Sequence, residues 1–180
     1  LCPQFHLSMQ SGSDTVLARM KRKYTTEEYY ASLTRLREAF PGCAITTDMI
    51  VAFPGETEAE FEESLAFMKK CRFADMHIFP YSRRPGTPAA DMPGQLGNAV
   101  KEARSRRAIW EAAMLRGEYQ QSLIGSKQAV LVEEMTEGYS AGHAPNYLKI
   151  YIPGAYPRNE IQQVTLTESF RDGMKGEVIV

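Results

Sequence analysis

The chain has 180 residues, 43% hydrophobic and 24% charged, with a formal net charge of −1. That length holds one ordinary domain or a larger and a smaller one, and the balance is that of a soluble globular protein. The near-neutral charge excludes a global electrostatic argument for nucleic acid. The apolar runs are too short to span a membrane and no signal-peptide pattern opens the sequence, so a cytoplasmic protein without a membrane role is expected.

Leu1 opens the sequence inside a strand-like stretch, which reads as an internal boundary. Phe5 to Met9 is expected to be a short strand, followed by a Gln10-Ser11-Gly12-Ser13 turn whose Ser13 can cap a short helix carrying Val16, Leu17 and Met20. Thr25 with Glu28 is a capping box opening a helix with Tyr29, Leu33, Leu36 and Phe40 on one stripe, stopped by Pro41-Gly42. Ala44 to Phe53 reads as a strand interrupted by Asp48 and broken by Pro54-Gly55. Thr57 with Glu60 caps the next helix, which turns Phe61, Leu65 and Met68 inward. Asp75 to Phe79 is the third strand, ended by Pro80. Strand–helix repeats of this kind imply parallel strands with crossover helices, and three units are too few to close a barrel of eight.

Residues 82–97 form a long Pro- and Gly-rich loop. Residues 98–124 form a charged connecting helix punctuated by Val100, Ile109, Trp110, Met114 and Leu115. Beyond Gly125, segments at Lys127–Glu134, Tyr147–Ile152, Glu160–Leu166 and Glu177–Val180 read as short strands of a small antiparallel β-barrel. The expected fold class is therefore α/β: an incomplete parallel (β/α) barrel over 1–97, the helix, and a small antiparallel β-barrel over 125–180.

Several polar groups sit at strand ends, where parallel α/β barrels build their sites: Gln10 and Ser11 after the first strand, Asp48 within the second, Tyr81 and Arg83 after the third. A carboxylate there can take a ribose hydroxyl pair. The alternative for Asp48, amid Ile45, Met49, Ile50 and Val51, is a buried residue satisfied by backbone N–H groups. Arg22 in Lys21-Arg22-Lys23 has a solvated surface charge as its alternative, and Pro54-Gly55-Glu56-Thr57 lacks the glycine and lysine spacing of a phosphate loop. Basic residues Lys101, Arg104, Arg106, Arg107 and Arg116 could track a phosphate backbone, or form an ordinary solvated face diluted by Glu102, Glu111 and Glu118. In the last segment, Tyr139, Tyr147, Lys149, Tyr151 and Arg158 interleave aromatics and cations as single-strand binders do, or as barrel packing does.

Four stretches carry a resemblance. His6-Leu7-Ser8-Met9-Gln10-Ser11-Gly12-Ser13 with Arg19 to Thr25, Thr47 to Thr57, and His77 to Ala90 resemble the second half of the radical S-adenosylmethionine domain of tRNA methylthiotransferases. Position 52 is Ala where that family more often has Gly. Residues 125–180, through Val130 to Glu133 and Asn146 to Tyr151, resemble its tRNA-binding TRAM domain. The runs Ala44 to Val51 and His77 to Ser82 look most like the branch acting on N6-threonylcarbamoyladenosine, at tRNA position 37.

The resemblance implies methylthiolation of that base at C2 by radical chemistry, with the tRNA anticodon stem-loop as partner. Its alternatives are a ribosomal-protein methylthiotransferase of the same superfamily or a non-catalytic RNA-binding module. It implies that Gln10 and Asp48 contact the S-adenosylmethionine ribose, that Arg22 meets the methionine carboxylate, and that Ser11 and Val51 line the same pocket, Val51 against the adenine. For RNA it points to Tyr147, Lys149, Tyr151, Arg104 and Arg107. The three cysteines that hold the family's [4Fe–4S] cluster are not matched by Cys2, Cys43 and Cys71. The chain is therefore expected to be a C-terminal part of a longer enzyme, with no metal ligand or catalytic residue of its own, inactive alone, and able to self-associate through an exposed barrel edge.

Overall fold

The computed structural model describes residues 2–179, so Leu1 and Val180, the outer ends of the expected 1–97 and 125–180 segments, lie outside the described residues. Two compact units form. An α/β unit comprises Phe5–Pro41 and Ile45–Leu115; a barrel unit comprises residues 2–4, Gly42–Ala44 and the chain from Arg116 onward. The division falls inside the long helix.

The α/β unit is built on three strands, β1 (Gln4–His6), β2 (Ala44–Val51) and β3 (Asp75–Pro80), in the order β1-β2-β3. β2 and β3 run parallel with Asp48 opposite His77 and Ile50 opposite Phe79. β1 is shorter than expected. After His6 the chain leaves the ladder and rejoins β2 only at Gln10, which bridges to Met49. Both capping boxes form: Thr25 opens α2 (Thr26–Ala39) and Thr57 opens α3 (Glu58–Cys71), each with its glutamate reaching back. Ser13 precedes α1 (Asp14–Arg19) but does not cap it, because its hydroxyl donates to Glu63 on α3 at 2.6 Å. Pro80 belongs to β3, and a short 3-10 turn at Pro88–Ala90 interrupts the loop behind it.

Helix α4 (Asn98–Ser122) forms close to the expected 98–124, and of the apolar residues that punctuate it only Leu115 is buried. Ala108, Ala112, Leu115 and Arg104 are buried, whereas Val100, Ile109, Trp110 and Met114 are exposed.

In the barrel unit five strands close on themselves in the order β4-β5-β6-β8-β7: β4 (Lys127–Thr136), β5 (Tyr139–His143), β6 (Lys149–Pro153), β7 (Ile161–Phe170) and β8 (Gly173–Val178). Alternate residues fill it, Val130 and Val132, Ile150 and Ile152, Val164 and Leu166, with Met174. The barrel is not wholly antiparallel, since β6 and β8 pair in parallel. β5 lacks a strand-like composition, and at Gly142 it lies too close to its neighbour for a side chain. A Cβ on Gly142 would overlap the Leu131 carbonyl, next to the bulge between Val132 and Glu134.

Candidate functional site

Strand β2 buries alternate residues. Ile45, Thr47, Met49 and Val51 face the side that is covered, while Thr46, Asp48 and Ile50 face the open side. On that open side lies a cleft of about 490 Å³ whose lining includes Gln10, Asp48, Ile50, Phe79, Tyr81 and Arg84. A second cleft of about 230 Å³ shares Gln10, Ile50, Thr87 and Ala89 with it and adds Arg22, Met20 and Phe53. Gln10, Asp48 and Arg22 thus wall one continuous hollow.

Asp48 is not satisfied by backbone N–H groups. Its carboxylate oxygens pair with His6 Nε2 at 3.2 Å and His77 Nδ1 at 3.3 Å, and the Ser8 hydroxyl donates to it at 3.5 Å. His6 and His77 are functional candidates absent from the sequence reading. The register that sets His77 opposite Asp48 places them together, and no local motif reveals it. Gln10 is held in the left-handed region (φ 65), its N–H donating to the Asp48 carbonyl and its carbonyl accepting from Ile50. Arg22 reaches the hollow through the end of α1. Lys21 turns left-handed (φ 56), its N–H donates to Ala18 O and the Arg22 N–H to Leu17 O, a Schellman pair built on lysine instead of glycine. Ala52 is also left-handed (φ 59), a conformation natural to glycine. Non-glycine residues held this way store strain, and two of them, Gln10 and Lys21, line this hollow.

Two expected members do not line it. Val51 is fully buried on the covered face of β2, because residues three apart on a strand point to opposite sides; Ile50 takes the place expected for Val51. Ser11 is buried against α3, its hydroxyl paired with Ser64 Oγ at 3.1 Å, where it docks the turn. Gly12 permits that approach, since a Cβ there would press on Phe67 and Ser64.

Two glutamates fix the walls. Glu60 accepts both guanidinium N–H groups of Arg19 (2.9 and 2.8 Å) and the Thr15 hydroxyl (2.6 Å), and Arg19 above all holds its carboxyl down at about 2. Glu56, with no exposed side-chain surface, accepts from the Ala52 N–H at 2.7 Å and from Arg104 at 2.6 Å. Burial pushes the Glu56 carboxyl up, and those two donors pull it back.

The expected RNA-facing residues separate into different roles. Arg104 is 6% exposed and ion-paired through both terminal nitrogens with Glu56 and Glu58, so it is an internal clasp and not a phosphate contact. Arg107 is half exposed but paired with Glu58 and Glu62. Tyr151 is buried at 4% exposure, bonded to Asp172, and packed edge-on against Tyr139 and Phe170; it offers no stacking face. Lys149 lies between Glu134 (3.2 Å) and Asp172 (3.8 Å). Tyr147 sits in a turn (φ 63) with the His143 ring tilted beside it at 6.1 Å and is 69% exposed, the one of these whose ring is largely open to solvent.

The cysteines do not suit a cluster. Cys43 and Cys71 are buried, Cys2 is exposed, and burial pushes the Cys71 thiol up to about 12, so it does not supply a thiolate. Among the described residues no group of three or more His, Cys, Asp or Glu side chains could hold a metal ion, and no helix is long and apolar enough to cross a membrane. The hollow does fit S-adenosylmethionine: a carboxylate and an amide for hydroxyls, a guanidinium for a carboxylate, and Ile50 and Phe53 for a flat apolar ring.

Residues 2–68, which include Gln10, Arg22 and Asp48, match the radical SAM superfamily. A solved radical SAM enzyme, coproporphyrinogen III oxidase from Escherichia coli, shares the fold at a TM-score of 0.55 and 15% identity, over 92% of this chain and 41% of that one. Over residues 2–68 the chain is thus similar to the radical SAM superfamily, and over most of its length it is similar to tRNA methylthiotransferases. It is 40% identical over 184 residues to the threonylcarbamoyladenosine tRNA methylthiotransferase of Bacillus subtilis, covering 91% of this chain and 41% of that protein. It is 46% identical over 142 residues to the tRNA-2-methylthio-N(6)-dimethylallyladenosine synthase of Desulfotalea psychrophila, covering 79% and 32%. The chain thus spans well under half of either relative.

Proposed function

We propose that the α/β unit is the S-adenosylmethionine-holding part of an incomplete (β/α) barrel in a tRNA methylthiotransferase, and that the barrel unit is its TRAM-like, RNA-binding domain. The single observation that carries this is the hollow joining Gln10, Arg22 and Asp48. In this reading the Arg22 guanidinium takes the methionine carboxylate in a fork, which a point charge could not orient. Asp48 accepts the ribose hydroxyls once His6 or His77 yields an oxygen, and Gln10 closes the same wall. Ile50 and Phe53 exclude water from the adenine. Bound S-adenosylmethionine supplies the radical chemistry, with [4Fe–4S] clusters held by residues other than the three cysteines here.

The substrate we assign is N6-threonylcarbamoyladenosine at position 37 of a tRNA anticodon stem-loop, methylthiolated at C2 in the cytoplasm. The Bacillus relative of that specificity aligns over 91% of the chain, against 79% for the Desulfotalea dimethylallyladenosine enzyme, although the latter is the more identical. The whole protein, given stem-loop RNAs bearing threonylcarbamoyl- or isopentenyladenosine, should methylthiolate the first. Transfer only to the second would reassign the branch, and transfer to neither would overturn the proposal.

A further inference from the structure

In the α/β unit a groove of about 590 Å³ runs between β3 with its following loop and one face of α4. Its floor is apolar, from Ile78, Pro80 and Ile109, and three cations edge it: Arg83, Lys101 and Arg106, against the one carboxylate of Glu102. These cations are available. Among the described residues Arg83 pairs with Asp91 alone, at 4.0 Å with both side chains mostly exposed. Lys101 lies over the Tyr81 ring at 5.5 Å, and Arg106 has no ion pair among the described residues. Their neighbours on the same helix, Arg104 and Arg107, are already neutralised by Glu56, Glu58 and Glu62.

Two more observations point to an occupant. Tyr81, 9% exposed, has a hydroxyl without a hydrogen-bond partner, as does Ser105; both residues line the groove. Pro80, Tyr81 and Ser82 also line the Asp48 cleft, so the groove adjoins it along that segment. Trp110, 61% exposed, follows Ile109 on α4. Spaced cations over an apolar floor, with an aromatic face beside them, fit a strand whose phosphates are charged and whose bases are flat.

We infer that this groove binds single-stranded RNA, with Arg83, Lys101 and Arg106 on successive phosphates, and that it guides the strand whose base enters the Asp48 cleft. The groove assignment stands on charge and shape, and the guiding role rests on the proposed function. Fluorescence anisotropy of the full chain with a labelled oligouridylate of about 12 nucleotides tests it. Removing three single-strand phosphate contacts should flatten the plot of log affinity against log salt by about 2. The R83A/K101A/R106A variant should show that change, with S-adenosylmethionine affinity unaltered, whereas R83K/K101R/R106K should keep the wild-type slope. R107A should also keep it. An unchanged slope in the triple alanine variant, or no oligouridylate binding by the wild type, would overturn the inference. So would loss of polyglutamate binding in that variant with RNA binding intact, which would make the occupant an acidic peptide. If the slope falls as expected but the whole protein methylthiolates no RNA, the groove stands and the proposed function fails.

Discussion

Glu60→Gln removes the charge from the clasp between α1 and α3. In the native chain five donors converge on this carboxylate: two from Arg19 (2.9 and 2.8 Å), the Thr15 hydroxyl (2.6 Å), and the Thr57 N–H and hydroxyl (2.8 and 3.1 Å). Arg19 is the largest cause of its fall from the ordinary 4.5 to about 2. That displacement corresponds to roughly 3 kcal/mol, at about 1.4 kcal/mol per unit. Because the Arg19 side chain is 33% exposed and partly screened, the expected net loss is about 2 kcal/mol. Glutamine keeps the shape but turns an amide donor toward a ring of donors. A carboxyl held low stabilises fully above its ordinary value, and the contribution is lost as pH falls from 4.5 toward 2. Urea unfolding followed by fluorescence of Trp110, the only tryptophan and a residue of the α/β unit, should therefore show a gap of about 2 kcal/mol at neutral pH that closes near pH 2. An equal gap at both pH values would refute the ionic account. Since α1 ends in the turn that carries Arg22, the same variant should weaken S-adenosylmethionine binding, but less than Arg22→Ala does.

Asp48→Ala and Arg22→Ala should each lower S-adenosylmethionine affinity about tenfold to a hundredfold by calorimetry, the worth of a charged hydrogen bond of roughly 1.5–3 kcal/mol. Intact affinity in Asp48→Ala would return that residue to a structural role beside His6 and His77. Arg104→Ala strands the buried Glu56 carboxylate and should cost about 3–5 kcal/mol in urea unfolding while leaving the RNA salt slope unchanged. Gly142→Ala sets a methyl against the Leu131 carbonyl and should unfold the barrel unit by far-UV circular dichroism; a native spectrum with unchanged melting would contradict the steric account of β5. β1 is an end strand of its sheet, so sedimentation should show concentration-dependent self-association of the chain, and a monomer at all concentrations would remove that proposal.

What could be read from the sequence was what depends on near neighbours. Both capping boxes formed because Thr25 and Glu28, like Thr57 and Glu60, are partners three residues apart. Ser13 failed as a cap because its hydroxyl found Glu63, 50 residues away. Arg104 looked like its exposed neighbours for the same reason: the carboxylates that consume it, Glu56 and Glu58, lie on another element. Helix α4 hid its inner face because Ala108 and Ala112, with Arg104 and Leu115, make the close packing, while Val100, Ile109, Trp110 and Met114 stay exposed. β5 went unseen because its Tyr-Ser-Ala-Gly-His run carries no branched residue, and at Gly142 crowding against the Leu131 carbonyl excludes any side chain. The Val51 assignment differs from these, since the sequence alone could have corrected it. Asp48 and Val51 lie three apart on a strand, and a period of two cannot bring both to one pocket. Either Asp48 with Ile50 or Met49 with Val51 had to face the ligand, and an unpaired carboxylate buried under helices is the costlier arrangement. Desolvation therefore selects the Asp48 face. The carboxylate fixes which side of β2 opens, and Ile50, two residues on, follows as its apolar companion.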